Sequence, residues 1–154
     1  MTFIVDGTSG LTFPNSTVQA SAGKVLQVAT GTIATQISTT STSFITTGLT
    51  VSITPKFSTS KILIIANGTF ESTVANNVFA TIYRNSTNIG SSTAGMTQTN
   101  QQGVWIPFGI NYLDSPATTS STSYTVYYRQ GVGNTAYFGG DSCLSSITVM
   151  EIAV

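Results

Sequence analysis

The stretch Gly103–Gln130, GVWIPFGINYLDSPATTSSTSYTVYYRQ, decides how the rest of the chain is read. In its first half Val104, Ile106, Phe108, Ile110 and Tyr112 recur at every second residue, with Trp105, Pro107, Gly109 and Asn111 between them. That is the period of a strand, whose successive side chains point to opposite faces. In its second half Tyr124, Val126 and Tyr128 alternate with Thr125, Tyr127 and Arg129. Asp114, Ser115 and Pro116 punctuate the link, so the spacing predicts a β-hairpin with an elongated loop in an all-β module.

The same texture extends in both directions. Upstream, Asn76–Arg84 sets Val78, Ala80 and Ile82 against Phe79, Thr81 and Tyr83. Lys61–Phe70 is apolar on both faces through Ile62, Leu63, Ile64 and Ile65, which predicts a central strand covered on both sides. These two runs, separated by Glu71–Ala75, are expected to form a hairpin. Phe44–Ile53 alternates Leu49, Val51 and Ile53 with polar residues until Pro55 ends it. Leu26 and Val28, then Ile33, Thr35 and Ile37, read as one long strand broken near Gly31. Downstream, Thr135–Phe138 and Ser146–Ile152 close the series after a Gly139-Gly140 turn. Nothing recurs at i, i+3, i+4 and i+7, so helix is not expected. About eight strands punctuated by turns predict two packed sheets, a jelly-roll-like β-sandwich over residues 23–154.

Residues 1–22 read differently. Thr2–Asp6 and Leu11–Phe13 are short and interrupted by Gly7–Gly10 and Pro14, too little to fold alone. They predict an extended N-terminal docking arm with Phe3, Val5, Leu11 and Phe13 as its candidate contacts. Asn85–Gln102 is the long polar segment, and long segments of this kind often carry contacts.

Charge excludes several functions. Lys and Arg number 5, Asp and Glu 5, and charged residues make up only 6% of the 154, against roughly 25% in ordinary domains. No basic track exists to release counterions from a nucleic acid. Near-zero net charge and a positive mean hydropathy favour association between chains. Neither a membrane span nor a signal segment is visible, so membrane insertion is not expected.

The residues predict no enzyme, no metal and no cofactor. The chain has no histidine, hence no imidazole base or ligand. Its one cysteine, Cys143, is expected to be a small buried thiol. Spacing leaves open a Glu71–Asp114 carboxylate pair, but turn chemistry beside Pro116 and Gly140 accounts for Asp114 and Asp141. Asn15, Asn67 and Asn85 begin Asn-X-Thr triplets that a Thr-rich chain produces by chance. Trp105, Tyr112, Tyr124, Tyr127 and Tyr128 are read first as packing residues and second as platforms for a sugar face.

The segment GLTFPNSTVQASAG at Gly10–Gly23 resembles a connector of the form GLTFPDGTTQ that recurs in tail-fibre and related appendage proteins of tailed bacteriophages. Asn15-Ser16 stands where that connector more often has Asp-Gly. The downstream pattern GKVLQVATGTIATQISTTSTSFITTGLTVSITPKFSTSKILI, with ATIYRNSTNIG, YLDSPATTSSTSYTVYYRQ and the closing ITVMEI, resembles a β-rich domain of phage virion proteins. Together the likeness spans nearly the whole chain. It implies a virion-surface protein assembled in the host cytoplasm, and a homotrimer bound to a major capsid or tail/baseplate protein. The opening Met1 and the lack of a repetitive shaft favour a capsid decoration (cement) protein or short fibre. The expected trimer contacts are Trp105, Phe108 and Tyr112. The alternative is a tail-fibre knob recognising a host-surface glycan, with Asn85, Asn88 and Tyr127 as candidate ligand contacts.

Overall fold

The computed structural model of the chain describes residues 4–6, 10–12, 18–19, 24–140 and 143–154. Three short strands open it, β1 (Ile4–Asp6), β2 (Gly10–Thr12) and β3 (Val18–Gln19), and they pair in a sheet of their own. There follow β4 (Val25–Ile33), β5 (Ile37–Thr39), β6 (Ile45–Ile53), β7 (Lys61–Ser72), β8 (Asn77–Arg84), β9 (Thr87–Asn88), β10 (Thr97–Asn100), β11 (Ile106–Asp114), β12 (Thr122–Gln130), β13 (Ala136–Phe138) and β14 (Ser145–Ile152). No helix occurs among the described residues.

From β4 onward the strands make eight ribbons. β13 and β14 both line the edge of β7 opposite β11, and β5 and β4 flank them in turn. One sheet therefore runs β4/β5, β14/β13, β7, β11. The other runs β6, β12, β8, β10, with β9 added to β8. All strand-to-strand pairings are antiparallel, and the first ribbon lies beside the eighth, the second beside the seventh, the third beside the sixth and the fourth beside the fifth. A long hairpin doubled over on itself in this way is a jelly-roll-like β-sandwich, the architecture the strand texture predicts.

The core follows from period-2 alternation. Leu49, Val51 and Ile53 of β6, Ile62, Ile64 and Ala66 of β7, Val78, Ala80 and Ile82 of β8, and Ile147 and Val149 of β14 point inward. Fully burying such a side chain contributes roughly 1.5–3 kcal/mol. One end is filled by aromatics. Phe70 stacks on Phe108 with centroids 4.4 Å apart, and Phe138 and Tyr128 lie within 6.3 Å of it. The sheets approach closely where β4 crosses β6, since a Cβ on Gly31 would collide with the Thr50 carbonyl oxygen. In β6, Thr47, Gly48 and Leu49 together oppose Val126 alone. This bulge needs the positive φ of 77° at Gly48, and the Thr47 hydroxyl donates to the Val126 carbonyl at 2.8 Å.

Five local expectations need correction. Gly103–Gln130 is not a hairpin, since β11 pairs with β7 and β12 with β6 and β8. Nor do Lys61–Phe70 and Asn76–Arg84 pair with each other; they lie in opposite sheets. The first ribbon runs straight through Gly31 and breaks at residues 34–36 instead. β7 is central, but its outer side chains Leu63 and Ile65 are only half-buried. Cys143 is exposed, in a turn where its amide donates to the Gly140 carbonyl at 2.8 Å.

Candidate functional site

The acidic residues are placed first by the strand register. Asp114, Ile62, Glu151 and Gln27 form one inward row across β11, β7, β14 and β4. Asp114 accepts from Arg84 Nη1 at 2.9 and 3.1 Å and from the Tyr124 hydroxyl at 2.7 Å. Glu151, fully buried, accepts from Gln27 Nε2 at 2.6 Å and from the Lys56 amide at 2.7 Å. Burial opposes its ionisation, but the nearby Ser60 hydroxyl and the hydrogen bonds from Gln27 and the amides of Lys56 and Phe57 outweigh that cost. Its carboxyl titrates below the usual glutamate range. Both groups seal one end of the sandwich. Glu71 lies nine positions along β7 from the partner of Asp114, ~30 Å at strand rise, and in the opposite phase of the strand. Those two carboxylates do not form a pair. Among the described residues no group of three or more His, Cys, Asp or Glu is placed to hold a metal.

Two outward surfaces remain. On the outer face of the first sheet Leu113 opposes Leu63, Leu63 opposes Met150, and Met150 opposes Val28. Residues directly opposite share a face, so these four make an apolar row across all four ribbons, about 14 Å wide. Leu113 and Val28 are each 55% exposed, and Ile65, Ile152 and Val25 extend the patch. Inner positions carry the core, and among the described residues no further layer covers this apolar outer row.

The outer face of the second sheet is aromatic and hydroxylated. Tyr83 of β8 and Tyr127 of β12 stack with centroids 3.8 Å apart and planes 20° from parallel. Arg129 lies over Phe79 at 4.0 Å and Phe44 at 5.4 Å. Its guanidinium donates to the carbonyls of Thr42 at 3.5 Å and Gln130 at 3.3 Å, and also to that of Thr93. Beside it is an open depression of about 460 Å³ lined by Thr42, Ser43, Phe44, Tyr83, Ser92, Thr93 and Arg129.

Of the predicted contacts, Phe108 is 8% exposed and packs on Phe70, inside the sandwich. It is in phase with Ile110, which is why it cannot lie on an outer face. Trp105 is half-buried, tilted against Tyr137 at 6.3 Å, and Tyr112 is 38% exposed near the end of edge strand β11. Phe3 and Phe13 lie outside the described residues; Val5 and Leu11 are register partners of β1 and β2. Asn85 and Asn88 build turns. Asn85 has a φ of 53° and accepts from the Ser123 amide at 2.9 Å; Asn88 accepts from the Thr81 hydroxyl at 2.6 Å and the Gly90 amide at 2.9 Å. Tyr127 faces outward, whereas Tyr124 and Tyr128 are core residues. Asn85–Gln102 is no free loop, because β9 and β10 both pair with β8. Arg129, Tyr83, Phe44 and Phe79 were not singled out by sequence; the outward phase they share with Tyr127 was the available signal.

No protein-family model matches the chain, and no curated protein matches it. Among solved structures, it is similar to that of infectious bursal disease virus Gt strain, at TM-score 0.41 and 17% identity over 91% of this chain and 40% of that one. It is also similar to the VP2 subviral particle of infectious bursal disease virus, at TM-score 0.40 and 17% identity over 88% of this chain and 41% of the other. The Gx strain structure gives TM-score 0.38 and 18% identity, over 91% and 40%. The chain spans about 40% of the length of the viral chains it matches.

Proposed function

We propose that the chain is a structural protein of a tailed-phage virion, a homotrimer on the particle surface held by its N-terminal arm, as a capsid decoration protein or short fibre. The observation that carries this reading is the apolar row Leu113, Leu63, Met150, Val28 on a sheet face that the described residues leave open. A surface so poor in charge offers little to keep such faces apart. In a cyclic trimer each copy sets this face against a different patch of its neighbour. Among the described residues the strands between residues 4 and 19 pair with one another in a sheet of their own, which suits a segment that finishes folding on a capsid, tail or baseplate protein. The likeness of the Gly10–Gly23 connector to phage appendage proteins supports the same role. A second reading, a fibre-tip knob that recognises a host glycan, is favoured by the Tyr83–Arg129 depression on the other sheet.

Sedimentation equilibrium tests the trimer directly: three chain masses are expected, and a monomer at high concentration overturns it. Deleting residues 1–22 should leave the trimer and its β spectrum intact while abolishing binding to particles stripped of the protein. Undiminished binding would remove the arm as anchor.

A further inference from the structure

We propose that the depression between the Thr42–Phe44 link, the outward end of β8 and the Ser91–Gly95 excursion is a site for an acidic saccharide. Arg129 takes the sugar carboxylate and Tyr83 takes the sugar ring. The charge of Arg129 is the first reason. Among the described residues the one ion pair is Arg84–Asp114, and the hydrogen-bond partners of Arg129 are all backbone carbonyls, those of Thr42, Thr93 and Gln130. A guanidinium has five N–H donors, and three carbonyl contacts leave two free. Carbonyl dipoles orient the group without neutralising it, and its planar fork matches a carboxylate. No acidic side chain lines the depression to compete.

Preorganisation is the second reason. Phe79 and Phe44 hold the guanidinium by cation–π contact, so little rotamer freedom is left to lose on binding. Tyr83 is likewise fixed by its stack on Tyr127. The hydroxyls of Thr42, Ser43, Ser92 and Thr93 surround them, in a volume of about 460 Å³ that suits a small ligand. A lone cation excludes a nucleic acid strand, which needs a row of them. One carboxylate among many hydroxyls with an apolar ring face is the complement that fits.

This narrows the glycan-recognition reading to one cleft and one ligand class, rests on that reading, and is independent of the trimer. It is tested by isothermal titration and amide chemical-shift mapping of the full chain. The probes are tetragalacturonate and sialyllactose, with galactotetraose and lactose as neutral counterparts. At least one acidic probe should bind, about tenfold or more tighter than its neutral counterpart, with shifts centred on residues 42–44, 83 and 91–95. Arg129→Gln should remove that preference, Arg129→Lys should retain part of it, and Leu144→Ala, at an exposed position outside the depression, should change nothing. If Arg129→Gln unfolds, salt decides on the native chain: only acidic binding should weaken as ionic strength rises. Equal binding of acidic and neutral probes would overturn the acidic class and leave a neutral-glycan site. Absence of binding by all four at about 10 mM would overturn the site itself.

Discussion

The Tyr124 hydroxyl donates to Asp114 Oδ2 at 2.7 Å, and that bond joins the two sheets, since Tyr124 lies on β12 and Asp114 on β11. Arg84 adds a second tie from β8 to the same carboxylate. Tyr128, four residues along β12 in the same phase, has a buried hydroxyl with no partner among the described residues. Removing one oxygen from each should therefore act in opposite directions. Tyr124→Phe strips a donor from a carboxylate only 7% exposed and should cost about 1–3 kcal/mol in urea denaturation. Tyr128→Phe should be neutral or stabilising by about 1 kcal/mol. Equal losses from the two would mean that ring packing, not the hydroxyl, sets both.

The same phenols give the protein an alkaline limit. Burial above all, then the bond to and the charge of Asp114, push Tyr124 well above the ordinary phenol range, with Arg84 pulling back; burial alone raises Tyr128. The folded state therefore holds protons that the unfolded chain releases near pH ~10. Stability from this source is complete below that pH and falls as pH rises beyond it. The melting temperature should drop above pH ~10, and less steeply in Tyr124→Phe than in the native chain.

Glu151 works with the opposite sign. Its folded carboxyl is depressed, so its contribution is present above the unfolded glutamate value of ~4.3 and is lost as pH falls through the lower folded value. Glu151→Gln should cost about 1–3 kcal/mol at neutral pH, since the amide cannot accept with both ends from Gln27, Lys56 and Phe57. It should also flatten the acid limb of a stability-pH profile. An unchanged acid limb would assign acid unfolding to another carboxylate.

Alternation along each strand was legible in the chain, because it depends only on which residues face a core; β6, β7, β8, β12 and β14 sit where their patterns place them. Pairing was not. Residues 73–76 connect β7 to β8, and four residues span up to ~14 Å, enough to cross the ~10 Å between packed sheets rather than turn back. Short links therefore fit a hairpin and a sheet-to-sheet crossing equally, and the jelly roll uses the crossing. The cleft suffered for the same reason. Tyr127 was legible as outward, but Tyr83, Phe79 and Phe44 reach Arg129 only through the non-local neighbours of β12. Asn85 and Asn88 looked like ligand contacts because turn-forming and ligand-binding asparagines are the same residue type; their hydrogen bonds assign them to turns.

Gly31 tests the closeness of the sheets. Its missing Cβ is the space occupied by the Thr50 carbonyl oxygen, a backbone atom that cannot rotate away. Gly31→Ala must move β4 off β6, and overpacking of this kind costs about 1–3 kcal/mol. The contrast is Gly103→Ala, where nothing lies within 4 Å of an added Cβ but φ is 65°. That loss should be smaller, about 1 kcal/mol, and purely conformational. Thermal melts of the two variants separate steric from backbone effects.

The outer row gives the last prediction. Leu63 and Leu113 are register partners and so stand side by side on the exposed face, with Met150 and Val28 completing the row. Leu113 is exposed and Leu63 half-buried, so both contribute less to the isolated fold than core residues do, and threonine keeps a β-branched residue at each strand position. Loss of monomer stability should stay within about 1 kcal/mol. Burial in an interface is worth roughly 1.5–3 kcal/mol per side chain, so each of three copies should lose several kcal/mol of contact and the assembly should dissociate at micromolar concentration. Sedimentation velocity of Leu63→Thr/Leu113→Thr should then show single chains with an unaltered β spectrum. A trimer that survives this pair would move the subunit contact off this row, with Trp105 just before β11 and Tyr112 near its far end as the next positions to change.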